Sequence, residues 1–173
     1  MKRSIWLVCN QKKVLLEAQR DINRSGGMKA YCFFSMEALH DGIRRLEDNT
    51  GYEFPSLIMI DYQTDEELSF SCMSVFQKNR ALATVPVFYI TDNKRKDIDD
   101  KCYEMGAMVV LQYPFSSHSL LRIEKAAEQH EMTRNYEKMI MSQAMELKAA
   151  KEISILNDKL KVRNEFLYRI FGK

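Results

Sequence analysis

The sequence of 173 residues predicts an α/β fold, a doubly wound five-stranded parallel sheet followed by a long C-terminal helix. Two observations carry this prediction. Short apolar runs alternate five times with segments of helical periodicity, and no glycine lies between Gly106 and Gly172. The sequence therefore divides into a compact domain over 1–117 and a helical extension over 118–173.

Continuous apolar runs predict the five strands, because a parallel strand covered on both faces is apolar along its whole length. The first run, Ile5-Trp6-Leu7-Val8, shows this composition most clearly. The predicted strands cover residues 4–8, 29–34, 56–60, 85–90 and 108–111.

Amphipathic segments fill the intervals between the strands and predict four helices. Apolar residues at helical spacing mark the first, and Ser35 is a suitable N-cap for the second. The helices are predicted over 11–24, from 35 onwards, over 66–80 and over 97–105. Such alternation implies right-handed crossovers, with ligand chemistry at the carboxyl ends of the strands. These ends are Cys9-Asn10, Asp61, Thr91 and Gln112-Tyr113.

Composition excludes several classes of protein. The 26 basic and 24 acidic side chains give a net charge of +2, which argues against a generic surface for nucleic acid or anionic membrane. No apolar run has the length of a membrane span, and the N-terminus lacks the pattern of a signal peptide. The four cysteines are scattered, so we expect reduced thiols in a cytoplasmic protein.

Motifs of catalysis and cofactor binding are missing from the sequence. The turn after the first strand, Cys9-Asn10-Gln11-Lys12, has neither the glycines of a dinucleotide-binding loop nor those of a P-loop. The three histidines are dispersed without partners at metal-ligand spacing. We therefore expect no enzymatic activity and no bound metal.

The strand ends, taken together, resemble those of a response-regulator receiver domain over about residues 4–117. Asp61 ends the third strand where that family carries its phosphoacceptor, and Thr91 ends the fourth where the family places a hydroxyl group. Gly106-Ala107 resembles the turn before the last strand, and Tyr113-Pro114-Phe115 stands where Lys-Pro-Phe is usual. The resemblance implies the flavodoxin-like receiver fold and a role in two-component phosphorelay signalling.

The same resemblance implies a degenerate site. Cys9 and Asn10 occupy the positions of the acidic pair that holds Mg²⁺ with the phosphoacceptor, and Tyr113 occupies that of the neutralising lysine. The turn after the third strand, Tyr62-Gln63-Thr64-Asp65, also departs from the family pattern. Mg²⁺ binding is weakened because a thiol is a poor ligand for a hard cation, and no other cofactor is expected. Two interpretations stay open, a working phosphoacceptor Asp61 and a pseudo-receiver that signals without phosphorylation.

The C-terminal helix carries an apolar seam with heptad spacing, which predicts a parallel homodimeric coiled coil. An upstream seam in a different frame meets it near residues 150–153, and this offset is equivalent to a stammer. Both a signalling helix that transmits a change of register and a plain dimerisation helix agree with the pattern. The seam residues are Ile153, Leu156, Leu160, Leu167 and Ile170.

The last ten residues are similar to the connector that precedes the catalytic domain of receiver-linked class III nucleotidyl cyclases. This similarity predicts an output domain beyond residue 173, although a diguanylate cyclase or a phosphatase would suit the helix equally. The predicted function is signal reception, from a sensor histidine kinase or another protein, and relay through a dimeric helix. The alternative is a phosphorylation-independent dimerisation or scaffold module.

Overall fold

A computed structural model of the chain describes residues 2–62, 66–91 and 96–171. Within these residues, five strands alternate with five helices. In chain order they are β1 (Arg3–Val8), α1 (Lys12–Arg24), β2 (Met28–Phe33), α2 (Met36–Glu47), β3 (Leu57–Asp61), α3 (Glu66–Lys78), β4 (Val87–Thr91), α4 (Lys96–Glu104), β5 (Val109–Gln112) and α5 (Ser117–Phe171).

The strands form one parallel sheet in the order β2-β1-β3-β4-β5. The central strand is therefore β3, with β1 next to it, and the order reverses direction between β1 and β3. The register places Val8 opposite Ile60, and Asp61 opposite Ile90. The predicted fold class, a doubly wound parallel sheet with a long C-terminal helix, is confirmed.

Each face of the sheet is covered by a separate apolar core. On one face, Trp6 and Tyr89 of the strands pack with side chains of α2, α3 and α4. On the other, Leu7 packs with α1 and with the beginning of α5, including Ile123. Because both faces are covered, the strands are apolar at nearly every position, which is the reason that the sequence shows continuous runs.

Capping interactions explain where two of the helices begin. The Ser35 side chain accepts a hydrogen bond from the Ala38 backbone N–H at 3.2 Å, which confirms the predicted N-cap of α2. In the same way, the hydroxyl group of Ser116 accepts a hydrogen bond from the backbone N–H of Ser119 at 3.1 Å. Residue 117 is thus already helical, slightly earlier than predicted.

The boundaries of β4 differ from the prediction for a local reason. The predicted strand starts at residue 85, but the Val85 N–H is used in a turn, where it donates to the Leu82 carbonyl at 3.0 Å. Pro86 follows and has no N–H to give to a neighbouring strand. The strand consequently begins at Val87 and extends to Thr91.

An aromatic cluster lies beside the outer strand β2. The single tryptophan, Trp6, is fully buried, with ring centroids 4.8 Å from Phe33 and 6.0 Å from Tyr52. The Lys29 ammonium group lies 4.7 Å from the centroid of the Tyr31 ring, a cation–π contact. Aromatic packing therefore adds to the pairing of β2 with β1 at this edge of the sheet.

The chain divides into two compact units, Met1–Glu131 and Met132–Lys173. The first contains the sheet, and the second is helical throughout its described length. From residue 135 to residue 170, every side chain is exposed. None of the helices in the described part of the chain has the length and apolarity needed to cross a membrane.

Candidate functional site

The carboxyl ends of β1 and β3 bring Cys9 and Asp61 together. Cys9 follows Val8, whose partner on β3 is Ile60, so the two residues are the next pair along the register. Alternation along a strand places Cys9 on the same face as Ile5 and Leu7, and both of those belong to the core covered by α1 and α5. The candidate site is therefore above this core, at the end of the sheet that the sequence predicts.

A thiol–carboxylate contact forms the centre of the site. The Cys9 thiol donates a hydrogen bond to Oδ2 of Asp61 at 2.9 Å, and the two residues are 2% and 5% exposed. Such a low exposure removes most of the water that would otherwise solvate the carboxylate. The position next to the carboxylate thus carries a neutral donor, where a receiver resemblance implies an acid.

Hydrogen bonds continue from Asp61 into α3 and β4. The Ser69 hydroxyl group donates to the Asp61 carbonyl oxygen at 2.8 Å, and the Tyr89 hydroxyl group donates to the Ser69 carbonyl oxygen at 3.3 Å. Ser69 and Tyr89 are both fully buried. These two bonds attach the first turns of α3 to the strand that carries Asp61 and to its neighbour.

Sequence reasoning did not identify Ser69 or Tyr89. A signal for Ser69 does exist, since it shares the helical spacing of Cys72, Met73 and Phe76, all on the buried face of α3. A polar side chain within such a stripe must find a hydrogen-bond partner inside the protein. Tyr89 gives no comparable signal, because a tyrosine in an apolar strand agrees equally with simple packing.

Asn10 and Thr91 occupy different environments. Asn10 is exposed, whereas Thr91 is 1% exposed at the end of β4. Because side chains alternate along a strand, Thr91 lies on the same face of the sheet as Val87 and Tyr89. It follows Ile90, the residue of β4 that is opposite Asp61. Thr91 is also held by its backbone, because its carbonyl oxygen accepts a hydrogen bond from the Tyr113 N–H at 2.9 Å.

The Tyr113 side chain is directed towards α1. Its hydroxyl group donates to Oε2 of Glu17 at 3.4 Å, and its ring packs edge-on against Phe115 with centroids 5.1 Å apart. Burial and the nearby carboxylates of Asp21 and Glu17 raise the pKa of Tyr113 to about 12. The phenol is therefore neutral at neutral pH and donates a hydrogen bond to a carboxylate of α1. A neutral phenol supplies no positive charge.

The predicted seam residues are all on α5 and are partly open to solvent within a single chain. Their exposed fractions range from 40% for Leu167 to 59% for Ile153. Two sequence-based predictions, by contrast, fall on residues 63–65 and 172–173, which lie outside the described residues. Among the described residues, no group of three or more His, Cys, Asp or Glu side chains could hold a metal ion.

Comparison with known proteins adds evidence for the fold alone. No protein-family model matches the sequence, and no curated protein matches it significantly. Solved structures do resemble it: a response regulator from Thermotoga maritima gives a TM-score of 0.60 at 16% identity, covering 74% of this chain and 99% of that one. A response regulator receiver protein from Burkholderia phymatum gives 0.59 at 21% identity, covering 73% and 94%. The chain thus has the fold of response-regulator receiver domains.

Proposed function

We propose that the chain is a degenerate receiver that relays a signal through protein contacts, without Mg²⁺-dependent phosphorylation of Asp61. The observation that carries this proposal is the hydrogen bond from the Cys9 thiol to the Asp61 carboxylate. Asp61 has the place of a phosphoacceptor, at the carboxyl end of a central strand. The groups that would bring a phosphoryl donor to it are replaced.

Among the residues that the structure describes, the donors around Asp61 do not fit Mg²⁺. This cation requires oxygen ligands in near-octahedral geometry and is usually held by carboxylates. Here Asp61 supplies one carboxylate, Asn10 supplies an exposed amide, and Cys9 supplies sulfur. Phosphoryl transfer between anionic partners depends on positive charge at the site. Tyr113 adds none in place of the lysine, because a phenol carries no positive charge, and its hydroxyl group donates a hydrogen bond to Glu17.

Relay to a partner is assigned to α5. Its second half exposes a heptad seam of aliphatic residues, and an isolated helix of that character is stabilised by pairing with another helix. We propose a parallel homodimer through this seam, which passes the state of the receiver to an output domain encoded beyond residue 173. A coding sequence that stops at Lys173 would remove the output domain from this proposal.

Exposure of the seam also favours a second candidate, a constitutive dimerisation or scaffold module. In that case the dimer would form through the same residues, but no change in the receiver domain would alter it. The two candidates differ in whether a variant at the Asp61 site changes the behaviour of α5. Hydrogen exchange of α5 in Asp61→Asn, compared with the unaltered protein, distinguishes them.

Phosphorylation is tested with the full chain, Mg²⁺ and acetyl phosphate, followed by intact mass. We expect no added phosphoryl group on the unaltered protein. A matched variant carries Cys9→Asp and Asn10→Asp, which together restore two carboxylates beside Asp61. We expect this variant to gain one phosphoryl group, and the gain to disappear when Asp61→Asn is added.

One result would overturn the proposal directly, namely a phosphoryl adduct on the unaltered protein that Asp61→Asn abolishes. The chain would then be a working receiver, and a sensor histidine kinase would be its expected partner. An adduct that persists in Asp61→Asn lies on another residue and leaves the degenerate assignment intact.

A further inference from the structure

An ion cluster joins the beginning of β1 to α5, at the end of the sheet opposite the candidate site. Arg3 contacts three glutamates of α5: Nη1 lies 3.5 Å from Oε1 of Glu124, Nη2 lies 3.3 Å from Oε1 of Glu128, and Nε lies 3.6 Å from Oε2 of Glu131. The glutamates have the spacing i, i+4, i+7 and thus share one face of the helix. A single guanidinium group therefore spans two turns of α5.

Gly27 leaves room for this cluster. A Cβ atom at position 27 would lie 2.8 Å from Oε1 of Glu124 and 3.5 Å from Nη1 of Arg3. The Gly27 carbonyl oxygen also accepts a hydrogen bond from the Arg3 backbone N–H at 3.0 Å, which fixes the start of β1 beside it. Because Gly27 has no side chain, Glu124 of α5 can approach Arg3 beside the start of β2.

Apolar packing of α5 ends before the ion cluster does. Ile123 and Ala127 are fully buried, and Ala127 is the last buried apolar residue among the described side chains of α5. The cluster extends for one further turn, to Glu131, which is also the last residue of the first compact unit. Arg3 is 22% exposed and its partners 35–42%, so its charge is partly shielded from solvent.

We propose that Arg3 acts as an electrostatic clamp that sets how far along α5 the helix is held against the sheet. With the clamp closed, the held part extends to Glu131. With the clamp open, it ends at Ala127, where apolar burial ends. The point from which α5 acts as a relay then shifts by one turn, and this regulatory role rests on the proposed function. The clamp itself does not depend on whether Asp61 is modified.

Hydrogen exchange of the full chain, followed by mass spectrometry, tests the clamp. In low salt, Arg3→Gln is expected to raise exchange of the amides from 128 to 134 by about three- to tenfold, a factor consistent with the loss of several partly exposed ion pairs. Amides near Ile123 should change little. High salt should bring the unaltered protein towards the variant, because salt screens the pairs.

Two further variants make the result specific. Arg44→Gln breaks an ion pair with Asp41 on α2 and should leave α5 unchanged. Glu131→Gln removes the ion pair with Arg3 and alters only a helix surface, so it keeps the test available if Arg3→Gln does not fold. The double variant Arg3→Gln/Glu131→Gln should exchange no faster than Arg3→Gln alone, because Arg3→Gln already removes the Arg3–Glu131 contact.

Unchanged exchange at 128–134 in Arg3→Gln or Glu131→Gln would overturn the clamp, as would an equal rise in every segment of the protein. These results are separate from the proposed function. Phosphorylation of Asp61 or a monomeric chain would contradict the proposed function and leave the exchange result as it stands.

Discussion

Cys9 changes what the Asp61 carboxyl group can do. A second carboxylate in the place of Cys9 would repel Asp61 and attract a cation, whereas a thiol donates a hydrogen bond and brings no charge. The backbone of Asp61 is held as well, by the hydroxyl group of Ser69. At the scale of single residues, Cys9 and Ser69 therefore hold the side chain and the backbone of Asp61 in place.

Removal of the thiol should destabilise the protein. Cys9→Ala takes a hydrogen-bond donor from a buried carboxylate, and we expect a loss of about 1–3 kcal/mol in the free energy of unfolding. Cys9→Ser keeps a donor at nearly the same place and should lose less than about 1 kcal/mol. Urea unfolding, followed by the fluorescence of the buried Trp6, measures both. An alanine variant as stable as the serine variant would show that the contact contributes nothing.

The site residues differ in how far the sequence could predict them. Asp61 could be located because a strand end follows directly from an apolar run, and this location is what brings Cys9 beside it. The direction of the Tyr113 side chain could not be predicted, because it depends on a hydrogen bond to Glu17, which is 96 residues away in the chain. A contact of that separation leaves no pattern in a single sequence.

Among the elements, Gly106 shows how one backbone conformation ends a helix. Its φ of +100° lies in the region that L-residues rarely adopt, and it directs the chain from α4 towards β5. A Cβ atom there would also lie 2.9 Å from Cε of Met73 and 3.3 Å from Nε2 of Gln77. Gly106 therefore combines a turn with close packing against α3.

Gly106→Ala is expected to lower the free energy of unfolding by about 2–3 kcal/mol, the sum of backbone strain and crowding against Met73. Gly26→Ala is the matched control, because Gly26 has a φ of +80° but open space around it. The control should lose only about 1–2 kcal/mol from strain. Equal losses of unfolding free energy in the two variants would mean that the side chains of Met73 and Gln77 move aside without destabilising the protein.

The sequence allowed us to predict which segments are strands and which are helices, but it predicted their first and last residues less accurately. Continuous apolar runs identified the strands because burial on both faces leaves few polar positions, and the order of the elements followed from their alternation. The start of β4 was predicted two residues early, since Val85 is apolar but gives its N–H to a turn. The apolar composition of a segment indicates that it is buried. The end of a strand depends instead on which backbone N–H and C=O groups form hydrogen bonds with the neighbouring strand.

At the scale of the whole molecule, the main proposal is that two chains form a dimer through the seam of α5. Leu156→Asp places a charge in the seam and should convert the dimer into a monomer. Ile155→Asp is the matched control: Ile155 is 56% exposed and Leu156 58%, but Ile155 lies outside the heptad seam. Light scattering after size-exclusion chromatography gives the molar mass of each. A monomeric unaltered chain, or the same mass for both variants, would contradict the proposed seam.

Contacts between distant parts of the chain were the least accessible from sequence. Arg3 and its glutamates are separated by more than 120 residues, and each of them resembles an ordinary surface charge when considered alone. The interior position of β1 in the sheet and the packing of α5 on one of its faces bring them together.

The interior position of β1 also has a consequence for the order of folding. β1 is synthesised before both of its neighbours. It pairs with β2 on one side and with β3 on the other, and β3 begins only at Leu57. A sheet built from such distant segments closes long loops before it gains stability, which slows its formation. Until β3 has been synthesised, β1 can therefore be covered only by β2 and the nearby helices.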